Sequence, residues 1–194
     1  MTWELECHNW LALRGFRDGR PPGALLETVR TAKDPAAAIA ALELLESYAS
    51  DLGLPCEATR SVVACLVGIA TRCTGEIRSA ILGTLEELTC GRGIEEYSPD
   101  ELAWLVAACR ELVYALHAWV EILETGDASD ATLAATLLAY AANAVPEVEQ
   151  RVLTYLRICS RERPALSDYL SALSENFQER KQLLLTRVGS TGFS

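Results

Sequence analysis

The chain has no long stretch that is free of charge. Its most apolar segment, around 102–123, is interrupted by Arg110, Glu111, His117 and Glu121, whereas a membrane-spanning helix needs about 20 predominantly apolar residues. No span is expected, and no membrane partner. A secretory leader is not expected either, because Met1-Thr2-Trp3-Glu4 lacks a basic region followed by an apolar one. Alternation of apolar and polar residues over six positions between turn signals is also missing, which removes the usual signature of a strand.

The groups that carry chemistry are sparse. Histidine occurs twice, at His8 and His117; a lone helical histidine is more often packed or solvated than a ligand. No C-x-x-C pair, His-Glu-x-x-His or G-x-S-x-G is present, so neither a zinc site nor a nucleophile elbow is indicated. Gly91-Arg92-Gly93 lacks the phosphate-cradling pattern and follows no strand. The carboxylate pairs Glu86-Glu87 and Glu95-Glu96 are sequence neighbours, and neighbours on a helix do not face each other. The expectation is a protein that is not an enzyme, with no catalytic residue, metal or cofactor.

Basic residues are outnumbered. Seventeen Lys and Arg stand against 27 Asp and Glu, a net charge of −10. Nucleic-acid binding rests on Lys and Arg contacts to phosphate, so nucleic acid is not expected as a ligand. A basic protein partner is compatible with the charge. So is solubility alone. The seven cysteines, Cys7, Cys56, Cys65, Cys73, Cys90, Cys109 and Cys159, are odd in number. They read as reduced thiols, which gives a cytoplasmic expectation. Cys65 and Cys109 fall on apolar helix faces, where a free thiol behaves as a small hydrophobe.

Ala and Leu dominate, with Glu and Arg between them, and these are strong helix formers. Half of the 194 residues are hydrophobic, enough for one domain with a real core. Breaks occur at Pro21-Pro22-Gly23, Asp34-Pro35, Leu54-Pro55, Thr74-Gly75, Ser98-Pro99, Thr125-Gly126, Val145-Pro146 and Arg163-Pro164. Between them, apolar spacing predicts helices over 3–13, 22–32, 35–50, 57–72, 75–89, 99–124, 130–144, 146–160 and 164–187, the last with a break near Ser174. Ser98-Pro99-Asp100-Glu101 reads as a capping box. The helical domain is placed at 1–188, with a disordered tail over 189–194.

Two helices repeat together. The segment opened by Pro35 aligns with those opened by Gly75 and Pro146, at offsets of 40 and 71. Ala41, Ile81 and Val152 coincide, as do Leu42, Leu82 and Leu153, then Leu45, Leu85 and Leu156. The preceding helix repeats in the same register: Ala24-Leu25-Leu26, Ala64-Cys65-Leu66 and Ala135-Thr136-Leu137. A period near 40 residues with two helices per unit is the pattern of HEAT-type arrays. Self-alignment of any Ala/Leu-rich bundle is the competing reading. The 99–124 helix and the 90–97 loop beside it stand outside the period.

From Ala36 to Gly93 the chain resembles bacterial HEAT-like repeat proteins. Leu54-Pro55-Cys56-Glu57-Ala58-Thr59 is similar to their short turn before an apolar helix. Arg78-Ser79-Ala80-Ile81-Leu82-Gly83-Thr84-Leu85 is similar to the helix that follows. The resemblance covers about 60 residues, and beyond them only the period matches. It implies an all-α fold, a right-handed α-solenoid of helical hairpins forming a single domain. It also implies protein binding, for the group includes immunity proteins paired with secreted toxins, and scaffolds or subunits.

The function expected is therefore that of an immunity or inhibitor protein occluding a cognate bacterial toxin, whose domain would be basic. The alternatives are a scaffold or subunit of a larger complex, including a homodimer through Trp104, Trp119 and the 99–124 helix, and, behind it, a helical DNA-repair-type enzyme. The partner-binding residues expected are Glu43, Glu46, Glu86, Glu87, Glu95, Glu96, Tyr97 and Glu101, with Tyr97 as an aromatic anchor inside an acidic run. Glu149 and Arg157 are expected to extend the row of charges. A merely solvated loop is the ordinary reading of the same run, and solvation likewise accounts for Arg14, Arg17 and Arg20.

Overall fold

The computed structural model describes residues 8–10, 12–13, 15, 22–51, 53–91 and 94–190. The chain is mostly helical. Helix α1 spans Pro22–Thr31, α2 Pro35–Ala49, α3 Thr59–Ala70, α4 Gly75–Thr89 and α5 Pro99–Glu111. Then follow α6 over Leu116–Thr125, α7 over Ala128–Ala144, α8 over Pro146–Glu162 and α9 over Ser167–Ser190. No described helix is long and apolar enough to cross a membrane.

Local chemistry starts these helices where the sequence signals it. The Asp34 side chain accepts from the Ala36 N–H at 3.2 Å, ahead of Pro35. Ser98 and Glu101 form the reciprocal box, at 2.7 Å and 3.3 Å. Asp127 caps α7 by accepting from the Asp130 N–H at 2.9 Å. Each satisfies a donor that the first helical turn leaves unpaired.

The Leu54–Thr59 turn has a definite role. Thr59 is fully buried. Its hydroxyl accepts from the Cys56 N–H at 2.8 Å and donates to the Ala49 carbonyl at 2.6 Å. The end of α2 is thereby tied to the start of α3. Two two-residue strands, Ser50–Asp51 and Leu54–Pro55, pair antiparallel in the same turn; their pattern is too short to read from sequence. Gly53 sits between them with φ 90°, a conformation that favours glycine.

Helices pack in two interleaved runs. Helix α1 packs on α3, and α3 on α5; α2 packs on α4, α4 on α7, and α7 on α9. Hairpin partners α1–α2, α3–α4, α6–α7 and α8–α9 also touch. The main core runs through all of them, from Leu25, Leu26 and Leu45 through Leu66, Leu85 and Trp119 to Leu156 and Phe177. Each fully buried Leu in it contributes roughly 1.5–3 kcal/mol. A smaller cluster of Ile94, Tyr97, Leu102, Leu105, Cys109, Ala144 and Leu184 lies under the loop before α5.

A buried ion pair joins α4 to α7. Asp130 is 1% exposed. It accepts from Arg78 Nε at 3.0 Å, from Arg78 Nη2 at 2.8 Å and from the Ser79 hydroxyl at 2.6 Å. Three donors on one carboxylate offset the cost of removing its charge from water.

Several expectations are corrected. The 99–124 helix is interrupted by a 3-10 turn over Leu112–Ala115. The buried Trp119 indole N–H donates to the Leu112 carbonyl at 2.8 Å, and the Leu116 N–H turns to Val113 instead. A side chain inserted in the backbone ladder is a standard cause of a break. Trp119 is fully buried, so it offers nothing to a homodimer surface. The 164–187 helix begins as a 3-10 turn over Pro164–Leu166 and runs unbroken past Ser174 to Ser190. Gly189 and Ser190 are thus helical, and 191–194 lie outside the described residues. Of the 3–13 helix, the described residues 8–10 and 12–13 form turn and irregular backbone, and the rest lies outside.

The third copy of the repeat is out of phase. An offset of 71 equates α8 with α2 and α4. It is α7 that packs beside α4, while α8 lies against α7 and α9. Helices α5 and α6, separated by the 3-10 turn Leu112–Ala115, both pack on α7.

Candidate partner-binding surfaces

The expected acidic residues divide by burial. Glu43 on α2 is exposed, and so are Glu95 and Glu96 in the 3-10 turn Ile94–Glu96. Glu46, Glu86, Glu87 and Glu101 are half-buried. Glu86 accepts from the Tyr140 hydroxyl at 3.3 Å, and Glu101 is committed to the capping box. Glu46 and Glu86 occupy equivalent positions at the 40-residue offset, on helices that pack side by side. Glu149 is not in that row, since it sits on α8 and pairs with Lys181 of α9 at 2.5 Å. Arg157 is on α8 too. Arg14, Arg17, Arg20 and Arg92 lie outside the described residues.

Tyr97 is not an exposed anchor. It is 1% exposed, and its hydroxyl donates to the Gly53 carbonyl at 2.5 Å. Burial pushes its pKa up to about 12. The ring fills the smaller core cluster while its flanking carboxylates stay in water. An aromatic between charged residues is as well suited to pinning a loop as to meeting a partner, and only packing distinguishes the two.

A surface missed in the sequence lies on α2. Ala36, Ala37, Ile39, Ala40, Glu43 and Leu44 are all exposed. At 100° per residue they occupy about 160° of the helix circumference. The opposite side, Ala38, Ala41, Leu42 and Leu45, is buried. Five of the six exposed residues are apolar, and Leu44 is 53% exposed. A surface helix ordinarily turns a polar face outward. The available signal was the run Pro35-Ala36-Ala37-Ala38-Ile39-Ala40-Ala41, apolar on every side rather than on one stripe.

A cleft opens on the other run of helices. It encloses about 490 Å³ between α3 and the 3-10 turn at 112–115. Its lining includes His8, Arg60, Gly68, Arg72, Glu111 and Tyr114. Arg60 Nε donates to Glu111 Oε1 at 2.7 Å; the glutamate is nearly buried while the arginine side chain is 61% exposed. Tyr114 is 84% exposed. The His8 imidazole packs at a tilt on Trp10, with centroids 5.1 Å apart. Burial lowers its pKa below 6.5; the Glu111 charge opposes that shift and the Arg60 charge adds to it. These residues are distant in sequence; the packing of α3 on α5 and on the 3-10 turn Leu112–Ala115 brings Arg60 to Glu111 and Tyr114.

Among the described residues, no group of three or more His, Cys, Asp or Glu is arranged to hold a metal ion. Compared with known proteins, the chain matches no family model, no curated protein and no solved structure.

Proposed function

We propose that this chain is a HEAT-like α-solenoid whose work is to bind another protein, most concretely an immunity or inhibitor protein that occludes a basic toxin domain without doing chemistry of its own. The observation that carries the reading is the exposed apolar face of α2, with Glu43 in its midst and the acidic positions of α4 on the neighbouring helix. Contiguous exposed apolar surface marks interaction sites. A polar rim around an apolar centre is the ordinary anatomy of an interface, and carboxylates beside it favour encounter with a positively charged surface. The contacts of α1 with α3 and of α2 with α4 suit stacked hairpins of the solenoid kind. The net charge of −10 agrees with a basic partner.

The test is co-expression with the product of the gene beside this chain, scored first for toxicity when that product is expressed alone; a neighbour that is not toxic would remove the immunity role. The wild-type chain is expected to restore growth and to co-purify with that product. Leu44→Asp together with Glu43→Lys should abolish both while leaving the helical circular-dichroism spectrum intact. Full protection by the folded double variant would remove the α2 face from the reading, and a folded wild-type chain that neither protects nor co-purifies would remove the immunity role. Self-association of the wild-type chain through this face, abolished by the same variant, would favour the homodimer instead.

A further inference from the structure

The cleft beside α3 differs from the α2 surface in sign and in place. Arg60, Ala64, Val67 and Gly68 recur at helical spacing along one side of α3, Thr71 and Arg72 follow in the turn past its end, and all six line the cleft. Arg60 stands in the first turn of α3 and Arg72 in the turn just past its end at Ala70, so the helix between them holds them about 15 Å apart along its axis at 1.5 Å per residue. Between them the floor is made of the small or apolar residues Ala64, Val67 and Gly68. The far wall is Glu111, Tyr114 and Ala115.

The charges are unbalanced. Glu111 engages Arg60 through Nε alone, and no described residue is bonded to the Nη groups of Arg60 or to any donor of Arg72. His8 adds no fixed charge, because burial favours its neutral form. A chain with a net charge of −10 thus holds, at the two ends of one apolar trough, guanidinium groups with open donors. Guanidinium recognises carboxylate through a planar fork of N–H groups. A small carboxylate reaches one arginine and cannot reach the other. An extended peptide rises about 3.3 Å per residue, so about five residues bridge the gap.

We propose that this cleft binds an extended acidic segment of a partner protein, with carboxylates near its two ends and small apolar side chains between them. One terminal carboxylate meets the free Nη groups of Arg60 and the other meets Arg72, while Tyr114 covers the middle of the segment. Tyr and Arg around a small trough are the residue types that dominate interface energetics. The site is independent of the α2 face and stands or falls without it.

Two peptide arrays test this against the full chain, one of the form Glu-X-X-X-X-Glu and one of the form Lys-X-X-X-X-Lys, with X drawn from Ala, Leu, Val and Ser. The Glu array is expected to retain the protein with an affinity about tenfold or more above the Lys array, a difference of about 1.4 kcal/mol. Moderate salt should weaken that retention, since the contacts are exposed charges. Arg72→Gln is expected to remove most of the preference. Arg72 has no described partner inside the fold, so this variant keeps its helical spectrum and melting temperature. Tyr114→Ala should lower retention of both arrays. Equal retention of the arrays, no retention of either, or an Arg72→Gln variant with undiminished preference would overturn the assignment. Displacement of bound Glu peptides by millimolar octanoate, with octanoate itself binding as tightly, would replace the peptide with a small anion and overturn it equally.

Discussion

Asp130 shows how much a single carboxylate can hold. Its three donors all belong to α4, and its own helix is α7. Asp130→Ala leaves the Arg78 side chain, 23% exposed, without its counter-charge, and removing one partner of a largely buried pair typically costs about 3–5 kcal/mol. Urea titration of the variant is expected to show a loss of that size, and a loss under about 1 kcal/mol, the range of an exposed pair, would show the pair to be no more than a surface contact. Cys109 gives a second prediction. Burial raises its thiol pKa from 9.0 to about 11. The unfolded thiol ionises first as pH rises, so the folded state is favoured below pH 9 and loses roughly 2–3 kcal/mol between pH 9 and 11. Replacing Cys109 by Ala should flatten the fall in melting temperature across that window by an amount readable against wild type. Labelling follows burial as well: among the described cysteines, Cys73 is half-buried while Cys56, Cys65, Cys90, Cys109 and Cys159 are buried. Brief iodoacetamide treatment of the native protein at pH 8 is expected to modify Cys73 first by mass spectrometry, and faster modification of Cys65 or Cys109 would contradict the packing.

At the scale of elements, the capping box is the clearest link from sequence to stability. Ser98→Ala removes an acceptor from the first turn of α5 and should cost about 0.5–2 kcal/mol by thermal or urea unfolding. No measurable change would mean that the box adds little to what the core beneath already provides. Helix starts were legible because Pro35, Gly75, Pro99 and Pro146 are local signals that tertiary contacts do not override. The interruption at 112–115 was not, because Leu112 loses its carbonyl to an indole seven residues on, and the apolar spacing continues through both halves. The acidic surface was half legible: Glu43, Glu95 and Glu96 read as exposed and are so, whereas Tyr97 carries no local mark of its bond to Gly53, 44 residues earlier. The cleft was illegible for the same reason, since Arg60 and Glu111 are 51 residues apart.

At the scale of the molecule, the last described helix makes contacts far from its neighbours in sequence. Helix α9 packs on α7 and α8, and also reaches α5 and the 3-10 turn Ile94–Glu96. Arg180 lies over the Tyr140 ring, 4.1 Å from its centroid, and donates to the Thr89 carbonyl at 2.9 Å and to the Cys90 carbonyl. Arg187 donates to the Tyr97 carbonyl. Carbonyls at the end of α4 have no helical partner of their own, and a guanidinium there both caps them and complements the helix dipole. A stack of nearest neighbours frays from its ends, whereas a C-terminal helix clamped onto the middle of the chain couples that end to the 89–97 loop. Hydrogen exchange distinguishes the two. Arg180→Ala is expected to lower protection at residues 88–91 and 94–97 and in the first turn of α5, some 90 residues away in sequence, while the α1–α2 hairpin keeps its protection. Losses confined to α7, α8 and α9 would mean that the long-range bonds hold nothing in place and that the chain behaves as a simple one-dimensional array.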